Sequence, residues 1–219
     1  MTRLMEADLR VYFVTDPELC ERLGLVETVL QAVAGGATLV QLRDPHAASD
    51  ALVEMARALV AALKPFGVPL IVNDRPDIAL AADAQGVHVG QDDIPVEEAR
   101  AIVGRDALVG LSITKAEQIY RVPWGLVDHL GVGPVFGPGV KTNAKPAIGL
   151  EGMRASVAIS RRPVVAIGGV SHDNAASCIA AGAAGVAVVS AIAAQSDPRL
   201  AAENLRSIVD AALSARSAA

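Results

Sequence analysis

Short apolar runs rich in Val, Ile and Leu recur along the chain, and each is followed by a longer segment whose apolar residues return at helical spacing. The runs cover residues 9–15, 37–42, 69–72, 86–89, 107–111, 127–132, 163–167 and 185–189. After the second run, Leu52, Met55, Ala56, Leu59 and Leu63 share one helical face, Glu54 and Arg57 fall on the other, and Ser49 stands where an N-cap is expected. Eight strand–helix units in succession predict a parallel sheet, because parallel strands need a crossover between them. An open doubly wound sheet would fit the count, but no Gly-rich dinucleotide turn follows the first strand. Closure into a single (β/α)8 TIM barrel over residues 1–219 is the simpler expectation.

Composition sharpens this picture. The 219 residues are 52% hydrophobic yet include three Phe, two Tyr and one Trp, so the core must be built from Ala, Val, Leu and Ile, with no room for a second domain. Residues 174–196 carry no charge, but the breaks at Gly182 and Gly185 read as a helix end, a turn and a buried strand rather than a membrane span. The opening MTRLMEADLR lacks the apolar segment of a secretory signal, and Cys20 and Cys178 have no CxxC spacing, which together predict reduced thiols in a cytoplasmic protein. The net charge of −5 is interspersed, without a basic stripe, which argues against nucleic-acid or membrane partners. Any anion site is then local, suited to small phosphorylated molecules, and a homo-oligomer is left open.

The unusual residues gather where the runs end. Gln41, Arg43 and Asp44 follow the second run; Asn73 and Asp74 the third; Gln91, Asp92 and Asp93 the fourth; Ser112 the fifth; a loop from Gly133 to Lys145 the sixth; Gly168 and Gly169 the seventh; Ser190 the eighth. In a (β/α)8 barrel all of these positions share the C-terminal rim, where chemistry is assembled. Neighbouring strands lie about 5 Å apart, so the Asp74 and Asp93 carboxylates can converge on one Mg2+, with Arg43 and Lys141 near an anionic co-ligand. Each Asp can instead close a turn, the reading preferred for Asp92 with Pro95 beyond it. The Gly168–Gly169 pair and Ser190 sit where barrels often bind phosphate through backbone N–H groups.

The four histidines carry less weight. His88 lies within the fourth run and reads as a packed, hydrogen-bonded side chain, and His129 sits inside the sixth. His46 is in a loop, and His172 follows Ser171, a candidate helix cap.

With these residues in view, the chain resembles the thiamine phosphate synthase family along almost its whole length. The stretches are VQLRD, VPLIVNDRPDIAL, GVHVGQDD, GLS, GVGPVF, AIGGV and VVSAI, seven rims in order. The resemblance implies a Mg2+-dependent coupling of 4-amino-2-methyl-5-hydroxymethylpyrimidine diphosphate to thiazole phosphate, giving thiamine phosphate and diphosphate. It implies Asp74 and Asp93 as magnesium ligands. Arg43, Asn73 and Lys141 would contact the diphosphate, Gln41 the pyrimidine, and Ser112 the reacting substrate. Backbone groups of Gly169, Val189 and Ser190 would take the thiazole phosphate. Arg43, Ser112 and Lys141 would be the catalytic set.

This sequence departs from the family around one substrate. The family usually has Lys at the place of Pro45, and Thr-x-Thr-Lys where Pro138, Gly139, Val140 and Lys141 stand. Each hydrogen bond to a charged oxygen contributes roughly 1.5–3 kcal/mol, so the donors must be replaced for the diphosphate to bind well. Lys115, Thr142, Asn143 and Lys145 are near enough in sequence to supply them. Two other readings are a thiazole tautomerase-like paralogue and a non-catalytic barrel that binds thiamine precursors. The acidic residues after the third and fourth runs favour the synthase, and GLSITK lacks the His that follows this Ser in the tautomerase type.

Overall fold

The computed structural model describes residues 9–137 and 146–218. Parallel strands β1 (Val11–Val14), β2 (Leu39–Leu42), β3 (Leu70–Asn73), β4 (Gly86–Val89), β5 (Leu108–Ile113), β6 (His129–Val132), β7 (Val164–Ile167) and β8 (Gly185–Val188) hydrogen-bond in chain order, and β8 pairs with β1 to close the barrel. The expected runs locate every strand. Their flanks, including Leu9, Ala37 and Pro163, are connections, and β5 reaches two residues further than expected.

Helices α1 (Pro17–Cys20), α2 (Leu25–Ala34), α3 (Ser49–Leu63), α4 (Pro76–Ala81), α5 (Val96–Val103), α6 (Gly149–Ile159), α7 (Ala175–Ala180), α8 (Ser190–Ala193) and α9 (Pro198–Ser217) cover the barrel. The segment after β5 is a 3-10 helix, Ala116–Arg121, and not the α-helix expected there. In α3 the anticipated face is buried through Leu52, Ala56, Leu59 and Leu63. Ser49 is not its cap: Ala48 takes that position, and Ser49 Oγ accepts instead from Arg75 Nη2 at 3.0 Å. Ser171 likewise does not cap α7, which begins after Asn174; the Ser171 backbone N–H donates to Asn174 Oδ1.

Side chains alternate between two cores, as strands buried on both faces require. Val11, Phe13, Val40, Leu42, Leu70, Val72, Val87 and Val89 face the helices. Tyr12, Val14, Leu39, Ile71, Leu108, Val165 and Ala187 fill the barrel interior. The uncharged 174–196 stretch holds α7, β8 and α8, and no described helix is long and apolar enough to cross a membrane. Cys20 and Cys178 are buried free thiols.

Candidate active site

A cavity of about 250 Å³ opens at the C-terminal end of the barrel, floored by Tyr12, His88, Val165 and Ala187 and walled by Gln41, Arg43, Asn73, Ser112 and Val189. Five residues expected at the site from sequence therefore meet at one place. Period-two alternation puts them there: Gln41 follows inward-facing Leu39, Asn73 follows Ile71, and Ser112 lies four positions beyond Leu108. Gln41 is buried and donates from Nε2 to Tyr12 Oη at 2.6 Å. Burial pushes the Tyr12 hydroxyl well above its ordinary value, so it remains a neutral hydrogen-bonding group.

The acidic pair sits at the mouth. Asp74 directly follows β3 in the left-handed region, with φ 59°, a conformation that Asp tolerates better than most residues. Its backbone N–H donates to His88 O at 2.8 Å, which seats it against β4. Asn73 Nδ2 donates to Asp74 Oδ2 at 2.5 Å. From the next loop, Asp93 Oδ2 accepts from the Gly90 N–H at 2.8 Å. The Asp74 carboxyl is pushed up to about 6 by burial and by a hydrogen bond and charge repulsion from Asp93, with Asn73 and Arg43 pulling the other way. Two carboxylates that share a proton in this way suit a hard cation. Among the described residues no third His, Cys, Asp or Glu joins them. The chain would then supply two ligands and leave the rest of the shell to substrate oxygens and water, the arrangement Mg2+ prefers.

Arg43 is held at the rim by its backbone, which donates to Thr15 Oγ1 at 3.0 Å, while its side chain is exposed. Arg75 is engaged elsewhere, gripping Asp77 through Nε at 2.9 Å and Nη2 at 2.6 Å. Asp44 closes a turn by accepting from the His46 and Ala47 N–H groups. Gln91 Nε2 donates to Ser112 O at 2.7 Å, tying the β4 loop to the end of β5. Asp92 is exposed.

On the far side of the mouth, Gly168 and Gly169 have φ of 86° and 69°. A Cβ on Gly169 would lie 2.6 Å from Phe136 O, so the left-handed turn and the close approach both require glycine. Ser190 opens α8 immediately after Val189. Gly169 and Ser190 end adjacent strands but do not line the cavity itself, whereas Val189 does. Lys141, with Pro138, Val140, Thr142, Asn143 and Lys145, lies outside the described residues.

Residues 11–192 match the family model described as thiamine monophosphate synthase. The chain is 53% identical to the thiamine-phosphate synthase of Xanthobacter autotrophicus over 205 residues, covering 94% of this chain and 97% of that protein. It is 49% identical to the enzyme of the same name from Azorhizobium caulinodans, over 93% of this chain and 96% of that one.

The chain belongs to the thiamine-phosphate synthase family. That membership makes it a transferase of thiamine biosynthesis. The barrel also superposes on the thiamine phosphate pyrophosphorylase of Pyrococcus furiosus with a TM-score of 0.87 at 38% identity, covering 95% of this chain and 98% of the other.

Beyond the residues expected from sequence, two polar rings line the cavity, Tyr12 and His88. The sequence pattern marks Tyr12 only as part of the first apolar run and His88 as a packed strand residue. His88 is indeed buried and hydrogen-bonded, but it also lines the cavity. The available signal was composition: in a chain with two Tyr and four His, polar rings placed mid-strand are costly unless the barrel interior satisfies them.

Proposed function

We propose that this thiamine-phosphate synthase family member couples 4-amino-2-methyl-5-hydroxymethylpyrimidine diphosphate to thiazole phosphate, with the pyrimidine in the interior cavity and both phosphate groups at its mouth. A cavity of about 250 Å³ whose apolar lining is broken by a few convergent polar groups suits one small heteroaromatic ring. Gln41 and Ser112 are the polar groups that orient it. Arg43, Asn73 and Lys141 bind the diphosphate, and backbone groups of Gly169, Val189 and Ser190 receive the thiazole phosphate opposite.

The observation that carries this reading is the Asp74–Asp93 pair: burial, joined by a hydrogen bond and charge repulsion from Asp93, lifts Asp74 to about 6 beside Arg43. The two carboxylates would hold Mg2+, which when bound neutralises charge on the departing diphosphate. Loss of diphosphate leaves a benzylic-type cation stabilised by the electron-rich aminopyrimidine, and the thiazole nitrogen then forms the new C–N bond. The chain's work is positional and electrostatic. Arg43 stabilises charge on the leaving group, and the walls keep competing water from the cation. The phosphate anchor beyond Gly169 sets the distance between the thiazole nitrogen and the reacting carbon.

The test is direct. Purified protein given Mg2+ and both substrates forms thiamine phosphate, and chelation of Mg2+ stops it. Absence of product with authentic substrates overturns the reading.

A further inference from the structure

Three strands place two imidazoles in contact beneath the cavity. His88 of β4 and His129 of β6 both stand in register with Gly110 of β5. Because Gly110 has no side chain, the rings meet across it, with His88 Nδ1 3.4 Å from His129 Nε2. A Cβ on Gly110 would overlap His88 Nδ1 and lie 2.5 Å from His129 Nε2, and one on Gly131 would lie 3.1 Å from His88 Cε1. The glycines make room for this contact. On its other side His88 Nε2 lies 3.0 Å from Ser112 Oγ. Tyr12 packs edge-on against both rings, with centroids 6.5 Å from His88 and 5.8 Å from His129.

Both rings are buried, and neither forms an ion pair among the described residues. Desolvation therefore keeps them neutral. A neutral imidazole has one N–H donor and one bare acceptor, and the partner of one nitrogen decides the state of the other. The chain Ser112–His88–His129 can therefore run in two directions. In one, His129 carries its proton on Nδ1, accepts from His88, and leaves His88 to accept from Ser112, whose oxygen then offers only lone pairs to the cavity. In the other, His129 Nε2–H donates to His88 Nδ1, His88 Nε2–H donates to Ser112 Oγ, and the Ser112 proton is released toward the cavity.

His129 Nδ1 separates the two. It is buried and has no hydrogen-bond partner among the described residues. The first direction would bury an orphaned N–H there, the rarer defect in folded proteins, and force both rings into the Nδ1–H form. The second places both in the Nε2–H form, the intrinsically more stable tautomer of a neutral histidine. We infer that His129 is a positioning residue that sets the direction of this chain, so that Ser112 acts as a hydrogen-bond donor to an acceptor atom of the pyrimidine substrate. The final link rests on the substrate assignment proposed above; the direction of the chain does not.

Nitrogen-15 NMR of histidine-labelled wild-type protein, assigned with single-histidine variants and free of substrate, tests the direction. Two-bond couplings should show the proton on Nε2 and a bare Nδ1 in both His88 and His129. An Nδ1–H form in either ring overturns the inference. Steady-state kinetics test the consequence. In His129→Phe the KM for the pyrimidine diphosphate should rise about tenfold while that for thiazole phosphate is unchanged, and His129→Gln, with an amide N–H donor at the place of Nε2, should recover most of the loss. Equal changes for both substrates in folded His129→Phe, or no recovery with Gln, also overturn it. If His129→Phe does not fold, the wild-type spectrum decides. Nε2–H tautomers in a protein that makes no thiamine phosphate would sink the proposed function and leave the direction standing.

Discussion

The backbone N–H of Gly90 donates to Asp93 Oδ2 at 2.8 Å, and a Cβ on Gly90 would lie 2.6 Å from that same oxygen. Gly90 has no positive φ to preserve, so alanine is tolerated by the backbone and the Asp93 carboxylate is what must move. Gly90→Ala should therefore raise the Mg2+ concentration for half-maximal activity by about tenfold, roughly 1.4 kcal/mol, while leaving the melting temperature nearly unchanged. A metal titration of turnover checks it. An unaltered Mg2+ requirement would mean that Asp93 is not a ligand.

Asp74 gives a pH dependence of known sign. Its carboxyl is raised to about 6 in the folded protein against 3.8 for an unperturbed group, so between these values the native state holds a proton that the unfolded chain has released. The Asp74 contribution to stability without Mg2+ falls as pH rises through that window, against the larger opposite slope of the two interior histidines, and is read as the difference between wild type and Asp74→Asn. Asp74→Asn should remove that opposing contribution, so that stability in chelator gains more between pH 4.5 and 7 than in wild type and the variant melts higher at neutral pH, while thiamine phosphate formation is nearly abolished. Thermal scans at pH 4.5 and 7, with and without Mg2+, separate the two effects.

Much of this was legible in the sequence, for a physical reason. Parallel strands covered on both faces are written as short, nearly continuous apolar runs, and residues that interrupt the pattern at a run's end fall on one rim. That logic located Gln41, Arg43, Asn73 and Ser112 around the cavity, and the family resemblance added Val189. The same continuity hid the interior. A run apolar on both faces does not say which face looks inward, so Tyr12 could not be told from Phe13, nor His88 read as part of the cavity, until the register was known. The cap assignments failed locally: Arg75 draws Ser49 Oγ away, and Asn174 closes the turn that Ser171 enters. Pro138 and Val140 themselves lie outside the described residues.

The two interior histidines set an acid limit. His88 and His129 are lowered to about 3 and about 4 from 6.5, mainly by burial, so each unfolded chain takes up protons that the native state refuses below pH 6.5. Their contribution is fully present above that pH and is lost as pH falls toward 4. Where both titrate only in the unfolded state, the slope approaches about 2.7 kcal/mol per pH unit. Urea unfolding of wild type between pH 7 and 5 should show this steep loss, and folded His129→Phe should show about half the histidine contribution. Identical slopes would mean that His129 is already protonated in the native barrel.

Stability and catalysis should separate at opposite ends of the barrel, and Arg100 tests this. From α5 it reaches the connections that enter β5 and β6, donating to Ala107 O at 2.5 Å, Leu126 O at 2.8 Å and Asp128 Oδ2 at 2.7 Å. Asp128 Oδ2 in turn accepts from the Val109 N–H. The two side chains are 13% and 15% exposed, so this is a largely desolvated pair, and removing one partner strands a charge and several carbonyls. Arg100→Met should cost about 3 kcal/mol, lowering the melting temperature by roughly 6–12 °C for a domain of this size. The bonds all lie at the N-terminal end of the strands, away from the cavity, so kcat and both KM values should stay within about twofold of wild type below the new melting point. A large kinetic defect in the folded variant would show that the two ends of the barrel are coupled.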